Sequence, residues 1–374
     1  MSAGRSDAIV VGAGIVGAAC AAALARDGLR VLVLESATAA LGTTAAGMGH
    51  LVVMDDSPEQ LALTTYSTAL WSEQPESLRT TSELEWCGTV WVAEDEAQLG
   101  AVREKQRAYA TVGVDTEVLD EAALRDAEPN LRAGLAGGLL VPGDGVIYPP
   151  SAAVALLDQA RARGATVREG TRVDAIVAHG VRCGAETLSA DIVINAAGAS
   201  ATALTPGLPV IPRKGHLVIT ERHPGFCRHQ VVELGYLTSA HVMTGESVAF
   251  NVQPRLTGQV LIGSSRELVG WDASVNRRVL RRMVERACAF MPGLAELTAV
   301  RTWTGFRPAT PDKLPLIGSW PETPGLWIAA GHEGLGITTS LGTAELLADL
   351  IGRRPTAIDA APYAPDRAVL AEAH

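Results

Sequence analysis

Aromatic residues make up only 4% of this 374-residue chain, so its interior is built mainly from Ala, Val, Leu and Ile. Basic charge is also short: 31 Lys and Arg stand against 41 Asp and Glu, a net charge of −10. Such a surface repels phosphate backbones and anionic headgroups, which excludes nucleic acid as an expected partner. The five cysteines (Cys20, Cys87, Cys183, Cys227, Cys288) are odd in number, scattered and free of any Cys-x-x-Cys. Neither a disulfide framework nor a zinc site is expected, no other metal site is suggested, and a reducing compartment fits. No run approaches 18 uninterrupted apolar residues, and a strand-like run begins by Ala8, ahead of any room for a signal peptide. A cytoplasmic protein without a transmembrane segment is the expectation.

Glycine, by contrast, is abundant at 38 residues, and the chain is long enough for about two domains at roughly 150 residues each. Ala-Ile-Val-Val at 8–11 reads as a buried strand, the Ala-rich 15–26 as a helix and 30–35 as a second strand, which together make a βαβ unit. Helical patterns follow at 58–70 and 94–112, with a Trp-rich strand at 85–92 between them. From Ser151 a helix runs to Arg163, strands are expected at 166–168 and 172–177, and Asp191-Ile-Val-Ile-Asn195 leads into Ala196-Ala-Gly198. Residues 208–320 alternate in β-rich segments such as 216–220, 247–252 and 259–264, and 326–351 again reads strand, glycine turn, helix, with the helix from Thr338. The returns of strand and glycine turn place 1–56, 151–205 and 321–374 in one discontinuous cofactor domain. Residues 57–150 and 206–320 are left for a second, β-rich domain.

The sharpest motif is Gly12-Ala-Gly14-Ile-Val-Gly17, between a strand and a helix. Gly12 permits the tight turn, Gly14 admits a pyrophosphate to the backbone, Gly17 lets helix and strand pack, and the helix start at Ile15 and Val16 favours the anion. Glu35 closes the second strand 18 residues after Gly17, followed by Ser36, where a carboxylate accepts from ribose hydroxyls. An acid there disfavours a 2′-phosphate and hence NADP. Two further glycine clusters, Gly42-Thr-Thr-Ala-Ala-Gly-Met-Gly-His50 and Gly331-His-Glu-Gly-Leu-Gly-Ile-Thr338, suit a dinucleotide whose reactive ring lies far from its adenosine, as in FAD.

With these motifs in order, the chain resembles the D-amino-acid oxidase and glycine oxidase superfamily of FAD-dependent amine oxidoreductases. The resemblance rests also on Asn195-Ala-Ala-Gly198, Pro212-Arg-Lys-Gly-His-Leu217, Gly305-Phe-Arg-Pro308, Thr310-Pro-Asp312 and Pro315-Leu-Ile-Gly318. Residues 48–56, 233–236, 249–254 and 331–336 look most like the catalytic subunits of bacterial D-hydroxyproline dehydrogenases. The resemblance implies an α/β, two-domain (α+β) chain: a Rossmann-like FAD-binding domain with an inserted β-rich substrate domain. It also implies noncovalent FAD, because the local pattern differs from that of relatives with a histidyl–flavin link.

The same resemblance assigns candidate residues. Arg307 matches the arginine that grips the substrate carboxylate, a task suited to a guanidinium fork. Glycine oxidase-like relatives carry a second arginine in the turn where this chain has Glu333, an acid that could meet a substrate ammonium or hydroxyl. His50 follows the turn that crosses the flavin, and Tyr236 lies where the family roofs the substrate; each could equally be structural. His216 and His241 read as structural histidines. For the cofactor, Thr43, Thr44, Ala46, Gly47 and Met48 form the second approach, Val173 holds the adenine and Ala197 with Gly198 turns beside the adenosine. Gly331, Gly334, Leu335 and Gly336 lead to amides near Ile337 and Thr338 that face the flavin's pyrimidine oxygens.

The reaction implied is transfer of a hydride from Cα–H of a small amino or imino acid to flavin N5, leaving an imine, with D-hydroxyproline or D-proline the leading substrate. Two alternatives stand beside it: an oxidase that passes electrons to O₂, and an FAD-bearing subunit of a larger opine or amino-acid dehydrogenase. A homo-oligomer, or a hetero-oligomer with electron-transfer subunits that could hold the enzyme at a membrane periphery, fits either case. The chain has no cysteine cluster for an iron–sulfur centre of its own.

Overall fold

The computed structural model describes residues 6–235 and 246–367. A six-stranded sheet forms one half, in the order Leu316–Ser319, Leu326–Ala330, Ile192–Asn195, Ala8–Val11, Val31–Leu34, Thr166–Arg168. All its pairings are parallel except the one between Leu316–Ser319 and Leu326–Ala330. Side chains of a strand alternate faces, and a parallel sheet covered on both sides needs apolar residues on each. Here Ala8, Val10, Val31 and Val33 enter one core, with the helices Ile15–Arg26, Pro149–Ala162 and Ser340–Ile351. Ile9, Val11, Leu32 and Leu34 enter the other, with Val181 and Leu188 of a three-stranded antiparallel sheet. This is the expected Rossmann-like arrangement, and its strands come from the beginning, the middle and the end of the chain.

The second half is an eight-stranded sheet in the order Ala299–Ala309, Ile211–Arg222, Gln259–Arg266, Ser247–Pro254, Gln230–Glu233, Thr89–Ala93, Gly137–Val141, Glu117–Asp120. Alternation again separates two cores: Val90, Val92, Val231 and Phe250 face helix Arg277–Phe290, whereas Trp91, Leu139 and Val232 pack with Val52, Val53 and Met54. That helix buries Val279, Met283, Ala287 and Phe290, and the Phe290 ring stacks on Phe250 with centroids 4.4 Å apart.

Two segments depart from the domain limits expected from sequence. Leu316–Ser319 joins the six-stranded sheet, because its edge pairs with Leu326–Ala330 after a short turn. Helices Pro58–Ser72 and Glu76–Thr81 bury Leu63, Trp71 and Leu78 in the core of the cofactor half rather than under the larger sheet. The pattern at 58–70 specifies a helix without specifying which sheet it covers, and the short helix Glu76–Thr81 is not among the helices expected from sequence. The strand expected at 172–177 is limited to Ala175–Val177, and the one at 85–92 begins at Thr89.

Candidate active site

A cleft of about 720 Å³ runs between the two sheets, within the size range of small-molecule sites. At one end the turn after Ala8–Val11 carries Gly12 at φ +103°, where a Cβ would lie 2.6 Å from the Ala196 carbonyl oxygen. Gly17 works differently: it stands behind the cleft, and a Cβ there would lie 2.0 Å from the Gly12 carbonyl oxygen, so only glycine lets helix and strand approach. Gly14, Ile15 and Val16 line the cleft, and helix Ile15–Arg26 starts at Gly14 without a side-chain cap. The positive end of the helix dipole faces the space. The Thr44 hydroxyl accepts from Ile15 N at 3.0 Å and ties the second glycine cluster to the first.

Glu35 ends its strand at the cleft wall beside Ser36. Its Oε2 accepts from Ala13 N at 3.0 Å, and its Oε1 accepts from Ala37 N at 2.9 Å and from the Ser36 hydroxyl at 3.0 Å. The carboxylate is thus held in place with further lone pairs for ribose hydroxyls. Val173, Ala197 and Gly198 line the same end. Asn195 shapes that turn, donating from Nδ2 to Ala201 O and Thr205 Oγ1, both at 2.9 Å.

Toward the other end, Thr43, Ala46, Gly47, Met48 and His50 follow along the wall. Thr43 Oγ1 donates to Phe306 O at 2.7 Å, and Gln253 Nε2 donates to Met48 O at 2.8 Å, so the larger sheet grips this segment. Glu333, Gly334, Gly336 and Ile337 close the cleft from the C-terminal side. The final helix begins at Ser340, two residues later than expected. Gly331, Leu335 and Thr338 do not line the space. Thr338 is instead a buried fastener: Oγ1 donates to His50 O at 2.9 Å and accepts from Val52 N at 3.3 Å, while its carbonyl accepts from Trp71 Nε1 at 3.0 Å. Its β-branch and hydroxyl lock two distant segments together, which a glycine-turn reading could not show.

Arg307 reaches the cleft from strand Ala299–Ala309. Its Nη1 donates to Ser265 O at 2.9 Å, and the guanidinium lies over Gly215, where a Cβ would come within 2.3 Å of Nη1. His50 is half-buried within range of its charge. Desolvation, with the Arg307 charge adding to it, pushes the His50 pKa down to about 4, so the ring is neutral near pH 7. Glu333 does not offer a free carboxylate to the cleft. Its Oε1 lies 3.4 Å from Arg213 Nη1 and 3.7 Å from Arg266 Nε, and its Oε2 accepts from Gly334 N. Burial acts to raise its pKa, yet Arg266, Arg307 and Arg213 together outweigh that and hold it below the ordinary carboxylate value.

His216 is structural, as expected: its Nδ1 meets Ser265 Oγ at 2.9 Å and its Nε2 accepts from Asn276 N at 3.0 Å. Tyr236 and His241 lie outside the described residues. Sequence reasoning missed Asn251, Ser264 and Trp271, which line the cleft from separate positions in or near the larger sheet. No motif marks them; strand alternation at Asn251 and Ser264 offers two faces without saying which one meets the cleft, and Trp271 lies in a turn beyond the strand.

The groups present fit FAD: a helix start whose dipole would face a pyrophosphate, a fixed carboxylate where ribose hydroxyls would lie, and an elongated cleft that continues to a half-buried arginine. Among the described residues no three His, Cys, Asp or Glu side chains gather as a metal site, and no helix is long and apolar enough to cross a membrane.

Comparison with known proteins agrees with this geometry. The family model described as DAO, FAD dependent oxidoreductase, matches residues 7–350. Glycine oxidase of Geobacillus kaustophilus is 30% identical over 97% of each chain, and its crystal structure superposes with a TM-score of 0.87, covering 97% of this chain and 99% of that one. Hydrogen cyanide synthase subunit HcnC of Pseudomonas aeruginosa is 28% identical over 96% of this chain and 95% of its own. The L-proline dehydrogenase of P. horikoshii, at 24% identity and a TM-score of 0.88, covers 96% of this chain and 97% of that one and shows the same fold.

Proposed function

Since the chain belongs to the DAO family of FAD-dependent oxidoreductases and acts on the CH–NH or CH–NH2 group of an amino acid, we propose that its substrate is a D-imino acid of the hydroxyproline or proline kind, oxidised by a dehydrogenase with noncovalently bound FAD. The observation that carries this is the pairing of Arg307 with a neutral His50 at one end of the cleft: one fixed cation for a carboxylate, beside a ring that adds no second charge to repel an amine. The resemblance of residues 48–56, 233–236, 249–254 and 331–336 to D-hydroxyproline dehydrogenase subunits supports the choice of substrate.

FAD, when bound, supplies the acceptor for a hydride. Arg307 pairs with the substrate carboxylate through two parallel hydrogen bonds and so orients Cα. Glu333 stays ionised among its arginines and limits the positive charge around that anchor. Neutral His50 leaves the amine in its reactive unprotonated form undisturbed. The substrate gives up a hydride from Cα and a proton from nitrogen, and water hydrolyses the resulting imine.

A second reading, an oxidase using O₂, draws support from the 30% identity to a glycine oxidase. Likeness to a protein described as a subunit, HcnC, supports assembly with other chains. Five cysteines that are all free thiols suit work in the cytosol. The test is a panel of D- and L-amino and imino acids against the pure flavoprotein, with stopped-flow reoxidation of the substrate-reduced flavin. Turnover of D-imino acids with slow reaction toward O₂ is expected. Fast reoxidation would make it an oxidase, and turnover of glycine alone would remove the proposed substrate.

A further inference from the structure

Three buried polar atoms on the cleft have no hydrogen-bond partner in the protein: Asn251 Oδ1, Ser264 Oγ and His50 Nε2. Asn251 is 3% exposed and Ser264 2%, so each faces the cleft from within the wall rather than from its rim. Buried polar groups are nearly always paired, and an orphan on a binding cleft marks a group that the ligand is meant to pair.

Their placement says which part of the ligand this is. Asn251 lies opposite Gly263 in the pairing of Ser247–Pro254 with Gln259–Arg266, and Ser264 follows Gly263 on the second strand. Strand alternation then separates two serines: Ser265 turns its hydroxyl to His216, whereas Ser264 turns toward the cleft. The Ser265 carbonyl is the acceptor that seats Arg307, so Ser264 stands one residue from the carboxylate anchor. His50 comes from the opposite half of the molecule, within reach of the Arg307 charge. The orphans therefore border the space around the substrate carboxylate, apart from the Gly12–Gly17 and Glu35 end of the cleft.

We propose that Asn251, Ser264 and His50 form a recognition wall for a hydroxyl on the side chain or ring of the substrate, and that the enzyme selects hydroxylated amino or imino acids over their plain counterparts. This rests on the amino-acid oxidoreductase reading above. A hydroxyl both donates and accepts, and so serves an amide oxygen, a serine hydroxyl and an imidazole nitrogen at once. A methylene in its place leaves these buried atoms unpaired. Sites built to hydrogen-bond a substrate hydroxyl discriminate strongly against the analogue that lacks it.

The test uses the holoenzyme and matched pairs, 4-hydroxy-D-proline with D-proline and D-serine with D-alanine, for wild type and for Asn251→Leu and Ser264→Ala. FAD content and melting temperature of each variant certify its fold, and two independent variants guard against the loss of one. The wild type is expected to favour the hydroxylated member by about tenfold or more in kcat/KM. Each variant is expected to cut that preference by roughly fivefold, the worth of one net hydrogen bond. Equal losses on both members of a pair, an unchanged ratio in both variants, or a wild type that favours the plain members overturns the wall while leaving amino-acid oxidation in place. Failure of the FAD-loaded wild type to oxidise any member overturns both.

Discussion

The Oε1 oxygen of Glu333 sits 3.4 Å from Nη1 of Arg213, two side chains separated by 120 positions in sequence. Arg266 and Arg307 add their charges from two further strands, so one carboxylate answers three guanidinium groups. Replacing Glu333 with Gln leaves those cations without their counter-charge. We expect a loss of about 3 kcal/mol in unfolding free energy at pH 7 together with a lower KM for carboxylate substrates. Urea denaturation and steady-state kinetics read both. Glu333 has a folded pKa below its ordinary value, so its contribution is present above that value and fades as pH falls. The gap between wild type and variant should therefore narrow in acid.

Arg307 offers a different test because its fork, rather than its charge alone, is seated by Ser265 O and Gly215. Arg307→Lys keeps the charge and loses the paired donors, and a fall in kcat/KM of about a hundredfold is expected, with Arg307→Ala lower still. FAD content should remain near that of the wild type. Unchanged turnover in Arg307→Ala would take this residue out of substrate binding.

At the cofactor end, two glycines of one motif should respond unequally. A Cβ at Gly17 would meet the Gly12 carbonyl oxygen at 2.0 Å, backbone that cannot move without opening the turn, whereas at Gly14 it would meet the Thr44 hydroxyl at 3.0 Å. Gly17→Ala is expected to lose FAD and stability together, and Gly14→Ala to keep the fold with weaker FAD retention. Visible absorption after gel filtration, beside a thermal melt, separates the two.

His332 is buried, with its Nε2 3.0 Å from Thr343 Oγ1, and desolvation pushes its pKa down to about 3. Its folded pKa lies below the unfolded one near 6.5, so the stability tied to its neutral ring is complete above that pH and is lost as pH falls toward 3. Each pH unit in that window costs about 1.4 kcal/mol. His332→Gln should flatten the decline of the urea midpoint between pH 6.5 and 5 relative to wild type, and an equal slope in the two proteins would place the acid sensitivity elsewhere.

Thr338 and Asn251 show where legibility stopped. The glycine turn ahead of Thr338 points to an amide at a helix start, whereas the bonds of its hydroxyl and carbonyl to His50, Val52 and Trp71 reach segments more than 260 positions away. Asn251 lies inside the stretch 249–254 that resembles the D-hydroxyproline dehydrogenase subunits, yet nothing in that stretch tells its partnered polar groups from its orphaned ones. Satisfaction of a hydrogen bond is a property of neighbours, and neighbours across strands are set by register.

The sequence alone determined the cofactor end: Gly12–Gly17 between strand and helix, Glu35 at the next strand end and the Asn195 turn are contiguous patterns whose geometry follows from backbone sterics and period. Only the tertiary structure decided the substrate end. There Arg213, Arg266, Arg307 and Glu333 converge, and Asn251 and Ser264 are brought to one wall, through the pairing of four strands in the larger sheet. The strand residues among them sit beside neighbours on the same strands that serve other faces, Glu333 joins them from the turn after Leu326–Ala330, and sequence spacing carries no record of which strands lie side by side.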